Sequence, residues 1–130
     1  MIVSTDYKSH DGKLLTVHVA RDGTTLATHL RVAAAFASRL QGLLGKPALQ
    51  RGEGLLLTKC NSIHMFFMNY SLDLVFCSAK DTVLGLTKNI KPWRVSRRFS
   101  DASYVLELPG GTIETAGLQL NDQLIFSESK

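Results

Sequence analysis

The sequence predicts a mainly β protein: a compact antiparallel β-sandwich or small barrel with one amphipathic α-helix packed on it. Three observations carry this expectation. Short runs rich in β-branched and aromatic residues recur along the chain, each the length of a strand rather than a helix. Clusters of Gly, Pro, Asn and Asp separate them, and these are the residues that turns require. Only one stretch has a helical period. With 130 residues, 45% of them hydrophobic, the chain has enough apolar surface for a single-domain core and too much for a disordered segment.

Leu15-Thr16-Val17-His18-Val19 alternates apolar and polar side chains and reads as the first strand, entered through Asp11-Gly12 and left through Asp22-Gly23. Residues 24–28 are then its return in a hairpin. From Arg31 the period becomes helical: Val32, Phe36, Leu40, Leu43 and Leu44 share one side, with alanines filling in, and the stretch stops at Gly45 with Pro47 behind it. Residues 54–58, 72–77, 82–86, 104–108 and 123–126 read as further strands. Between them, residues 78–81 form a hairpin turn, Pro109-Gly110-Gly111 breaks the chain, and Asn121-Asp122 supplies side-chain acceptors for a tight turn.

The formal charge is +4, and it is local. Lys88, Lys91, Arg94, Arg97 and Arg98 fall close together with no acid among them, interleaved with Trp93 and Phe99. Cations alternating with aromatic rings are what a loop contacting phosphates and stacking on bases contains. The competing reading is a solvated loop with its aromatic residues tucked onto the core, and no recognised nucleic-acid motif stands beside it. The first residues have neither a basic region nor a continuous apolar run of the signal-peptide type, and no apolar stretch approaches the roughly 20 residues of a membrane-spanning helix. Cys60 and Cys77 are too few and too far apart for a disulfide scaffold or zinc ribbon, so both read as reduced core residues of a cytoplasmic protein without a membrane contact.

A set of ordered motifs carries a family resemblance. It runs through Arg39-Leu40-Gln41-Gly42-Leu43-Leu44-Gly45, Gly52-Glu53-Gly54-Leu55-Leu56-Leu57 and Cys60-Asn61-Ser62-Ile63-His64-Met65-Phe66-Phe67-Met68. It continues through Leu72-Asp73-Leu74-Val75-Phe76, Val105-Leu106-Glu107-Leu108-Pro109-Gly110-Gly111 and Gly117-Leu118-Gln119-Leu120-Asn121-Asp122. The series resembles the uncharacterised family called domain of unknown function 192, over about residues 27–127. The resemblance implies a compact β-rich domain and no agreed biochemical activity. Ser71 stands where the family commonly has proline, and Asn121 where it usually has glycine before the aspartate.

If the chain carries chemistry, the segment from Cys60 to Asp73 is where it is expected. Met65, Phe66, Phe67, Met68 and Tyr70 are large and nearly consecutive; an extended chain sends alternate members to opposite faces, so one set packs in the core while the other lines a groove or interface. Cys60, His64, Met65, Phe67, Met68, Asn69 and Asp73, with Trp93, are the expected ligand-binding residues of such a groove. His64 is a core imidazole, a general base or a metal ligand; with Cys60 it makes only half of a zinc set, so no metal and no cofactor is expected. Asp73 and Glu107 each interrupt an apolar strand. They either face solvent, fix a turn by accepting backbone N–H bonds, or orient His64 for acid–base work. No nucleophile elbow, phosphate-cradling loop or dinucleotide fingerprint is present in the sequence.

Three functions follow, in this order. The first is a non-catalytic binding or assembly module whose Met/Phe groove holds a small molecule, peptide or protein partner. The second is a small enzyme using His64 with Asp73 or Glu107. The third, placed last, is nucleic-acid binding through Lys88 to Phe99.

Overall fold

A computed structural model describes residues 12–33, 49–58, 70–91 and 96–129. Its strands are β1 (Leu14–Val19), β2 (Thr25–Ala33), β3 (Glu53–Thr58), β4 (Leu72–Cys77), β5 (Val83–Ile90), β6 (Tyr104–Pro109) and β7 (Leu124–Glu128), and one short helix, α1 (Thr112–Ala116), lies between the last two. The mainly β expectation holds, in its barrel rather than its sandwich form. All seven strands belong to one sheet in the order β5-β4-β6-β3-β2-β1-β7. The sheet curls until its two edges meet, where Thr82 bridges Gln123 and the Val83 N–H donates to the Asp122 carbonyl at 2.8 Å.

Seven strands were legible because apolar residues alternate or run continuously along each, and a curled sheet can bury one or both faces. Inside the curl lie Leu15, Val17, Leu30, Leu56, Val75, Leu106 and Phe126, contributed by nearly every strand. Leu55, Leu57, Leu72, Leu74, Phe76 and Val105 form a second cluster on the opposite face of the central strands. This is why β4 is buried at every position instead of at alternate ones.

Three local readings are corrected. Arg31, Val32 and Ala33 do not open a helix; they continue β2 by pairing with Leu55, Leu56 and Leu57 of β3, and ladder hydrogen bonds to a neighbour outweigh a local helical period. The remainder of that expected helix lies outside the described residues. The β2–β3 pair is parallel, whereas the other pairs are antiparallel. The Pro109-Gly110-Gly111 break leads into α1, whose five residues are too few to show a period in sequence.

Bulges position the rest. Between Leu72 and Leu74 of β4, β5 carries an extra residue and Asn89 adopts a positive φ of 51°, which Asn tolerates better than most side chains. Two register shifts also interrupt the β1–β2 pair, and there β2 buries the adjacent residues Leu26 and Ala27 in the same inner cluster. Asn121, at the position where the resemblance leads one to expect glycine, has φ 71°. Asn is the commonest substitute in that left-handed region, so the turn survives the exchange.

Candidate functional site

Asp73 and Glu107 occupy adjacent central strands but face opposite ways. Asp73 lies across from Leu108 and Glu107 across from Leu74, and successive residues of a strand point to opposite faces. Asp73 therefore points into the curl beside Val75 and Cys77, while Glu107 points outward beside Val105. The structure does not bring the two carboxylates together.

Asp73 is fully buried, and its oxygens are taken by backbone donors. Oδ1 accepts from Asn89 N–H at 2.9 Å, and Oδ2 accepts from Ile113 N–H at 2.8 Å. One carboxylate thus ties the β5 bulge to the first turn of α1, a role that needs an acceptor with two oxygens and no donor. The neck between β6 and α1 is drawn close as a result. A Cβ on Gly110 would sit 2.5 Å from the Asn89 Oδ1, so a side chain there would displace the Asn89 amide.

Glu107 differs in every respect. It is 8% exposed, flanked in register by Leu55 and Leu74, and no described residue gives its carboxyl group a hydrogen bond or ion pair. Burial alone raises its pKa from 4.5 to about 7, because an apolar setting penalises the charged form. Beside it, Tyr70 packs on the same outer cluster with its hydroxyl buried and lacking a hydrogen-bond partner. Burial, then the neighbouring carboxylates Glu107 and Glu53, hold the Tyr70 hydroxyl above its ordinary pKa. Two polar groups with unused hydrogen-bonding capacity therefore share one apolar face.

Tyr70 was not among the site residues expected from sequence; it was read only as one bulky member of the Met/Phe segment, and nothing local distinguishes it. Cys60, His64, Met65, Phe67, Met68, Asn69 and Trp93 lie outside the described residues. Cys77 is buried and is not in a disulfide. Among the described residues, no group of three or more His, Cys, Asp or Glu is gathered where a metal ion could be held, and no helix is long and apolar enough to cross a membrane.

Within the basic segment, Lys88 pairs with Glu114 at 3.3 Å, while Lys91, Arg97 and Arg98 are exposed. Phe99 does not present its ring to solvent as a stacking platform. It lies on Phe76 with centroids 4.5 Å apart and fills the space left by Gly85, where a Cβ would come within 2.3 Å of the ring. The Arg97 guanidinium covers the Phe99 ring at 5.2 Å from its centroid.

Residues 17–126 match the model of domain of unknown function 192, described as "Uncharacterized ACR". The chain belongs to this family. Relatives carry the name UPF0127 protein: that of Thermococcus sibiricus is 31% identical over 106 residues, covering 78% of this chain and 68% of the relative. That of Pyrococcus furiosus is 33% identical over 105 residues, covering 78% and 90%. Among solved structures, a protein of unknown function from Novosphingobium aromaticivorans superposes with a TM-score of 0.73 at 20% identity, covering 85% of this chain and 82% of that one. A candidate transcription regulator from Sinorhizobium meliloti 1021 superposes with a TM-score of 0.69 at 24% identity, covering 86% and 91%. These likenesses establish the family fold. The family is one of unknown function.

Proposed function

We propose that this member of the family is a non-catalytic binding module, and that its ligand docks on the outer face of β3, β6 and β4 around Glu107 and Tyr70. The observation that carries this reading is the uncompensated pair. Buried polar groups in folded proteins are almost always hydrogen-bonded. Here no described residue bonds the nearly buried Glu107 carboxyl group, and the buried Tyr70 hydroxyl lacks a partner. A small molecule or peptide donating hydrogen bonds would satisfy both and cover the apolar surface around them. The cytoplasm is the compartment proposed, which the reduced state of Cys77 supports.

A second reading has one observation in its favour. A carboxyl group with a pKa of about 7 is poised to exchange a proton at neutral pH, so Glu107 with His64 would serve a small acid–base enzyme. One experiment separates the two. Native mass spectrometry of protein isolated without denaturant, followed by extraction, identifies any bound compound, which is then added back to the wild type and to Glu107→Leu and Tyr70→Phe. The binding reading expects the compound returned unchanged and held at least tenfold more weakly by both variants. Chemical conversion of the compound supports the enzyme instead. Equal retention by wild type and variants removes this face as the site.

A further inference from the structure

A second cavity lies where β6 leaves the sheet, and Glu107 is not part of its lining. Strand β3 joins β2 only from His29 onward, where Glu53 is its partner. The first half of β2, residues 25–28, therefore has β1 on one side and, among the described residues, no strand on the other. Facing it across the gap is the neck from Pro109 to Thr112 that Asp73 holds in place. The gap is a cavity of about 570 Å³, within the range of small-molecule sites.

The chemistry of its wall is one-sided. Leu26 and Ala27, both buried, make an apolar floor. Thr24, Thr115 and Arg51 are polar groups on the rim, and no Asp or Glu lines the cavity. Other threonines there are already engaged: Thr25 with His18, Thr28 with His29, Thr112 with the Pro109 carbonyl. Thr24 also gives its hydroxyl to Asp22, whereas the side chains of Thr115 and Arg51 have no such partner among the described residues. Nearby carboxylates are committed elsewhere: Asp22 accepts from Thr24 N–H at 3.0 Å, Glu53 accepts from Gln50 N–H at 2.7 Å, and Glu114 pairs with Lys88.

We infer that this cavity binds a small hydroxylated anion, its carboxylate or phosphate paired with Arg51 and a hydroxyl group with Thr115. A planar guanidinium without a competing acid recognises either oxyanion through paired N–H bonds. A free hydroxyl group both donates and accepts, which suits a polyol portion. A neutral apolar ligand would leave the arginine and hydroxyl unused, and a cation would meet the wrong sign of charge.

The test is titration of the full chain with ribose 5-phosphate, citrate and neutral ribose, followed through amide resonances in two-dimensional NMR and repeated with Arg51→Gln. Arg51 is exposed, so the substitution leaves the fold intact, and the variant's own spectrum verifies it. Saturable shifts at Thr24, Gly52, Gly110 and Gly111 with one or both anions are expected, with ribose at least tenfold weaker. Arg51→Gln should weaken the anion at least tenfold, and raising salt should weaken it in wild type. Response to ribose 5-phosphate alone assigns a phosphate, and response to citrate alone a carboxylate. No saturable shift up to ~10 mM ligand, which corresponds to about −2.7 kcal/mol, or equal binding by Arg51→Gln, overturns the inference.

Discussion

Replacing Glu107 with glutamine keeps the shape of the side chain and removes its titration, which isolates the consequence of burying an unpaired acid. Below about pH 4.5 the carboxyl group is protonated in the folded and the unfolded chain alike, and Glu107 contributes its full share of stability. As pH rises toward 7 the unfolded chain, with its ordinary pKa of 4.5, releases the proton while the folded chain, with a pKa of about 7, retains it. The unfolded state gains from that release. Stability falls by about 1.36 kcal/mol per pH unit across the window, and above pH 7 a penalty of about 3 kcal/mol persists. For a chain of this length that is about 10 °C in melting temperature. Urea denaturation of wild type and Glu107→Gln, repeated from pH 4.5 to 8.5, measures it directly. The stability of the variant relative to wild type should climb by about 3 kcal/mol, most of it between pH 5 and 7. A difference that stays flat, or that moves the other way, refutes the reasoning, because it means the ionised carboxylate is compensated in the folded chain.

Asp73→Asn should cost about 2–4 kcal/mol in urea denaturation, nearly as much as Asp73→Ala, since the amide presents a donor to one of the two backbone N–H groups held at 2.9 and 2.8 Å. A loss below about 1 kcal/mol, the net worth of one ordinary hydrogen bond, would show that the β5 bulge and α1 do not depend on this carboxylate. Gly85→Ala places a methyl group against the Phe99 ring and should destabilise by about 1–3 kcal/mol, whereas in a Phe99→Ala background the same change should cost far less; additive costs would deny the contact. Asp122 is held below its ordinary carboxylate pKa by Arg21 first, then by the Gln119 N–H. Its contribution is thus complete above the ordinary carboxylate range and lost as pH falls through the lowered folded value. Asp122→Ala should cost about 2 kcal/mol at pH 7 and progressively less on acidification; a cost that grows toward acid would reverse that assignment.

Much of the fold was written in local pattern. Residues 72–77 could be read as a strand because a strand needs only a short apolar run bounded by turns, and Asp22-Gly23 marked the first hairpin because such pairs accept the backbone angles of a tight turn. The option that Asp73 fixes a turn through backbone N–H bonds was also open from sequence, since a carboxylate in an apolar strand must either meet donors or face solvent. The donors themselves were not visible. Asn89 is 16 positions and Ile113 40 positions away along the chain.

What the sequence determined by itself is the class of structure: strands, turns and family membership, all carried by the periodicity and spacing of residues near one another in the chain. Only the tertiary structure decided which face each acid occupies, that Arg31 to Ala33 pair with β3 instead of coiling, and that residues 24–28, 51–52, 109–112 and 115–116 border a cavity. The physical reason is that burial, and with it the charge state of Glu107 and the free guanidinium of Arg51, depends on contacts between segments far apart in sequence. A one-residue change of strand register would exchange the inner and outer faces without altering a single local pattern.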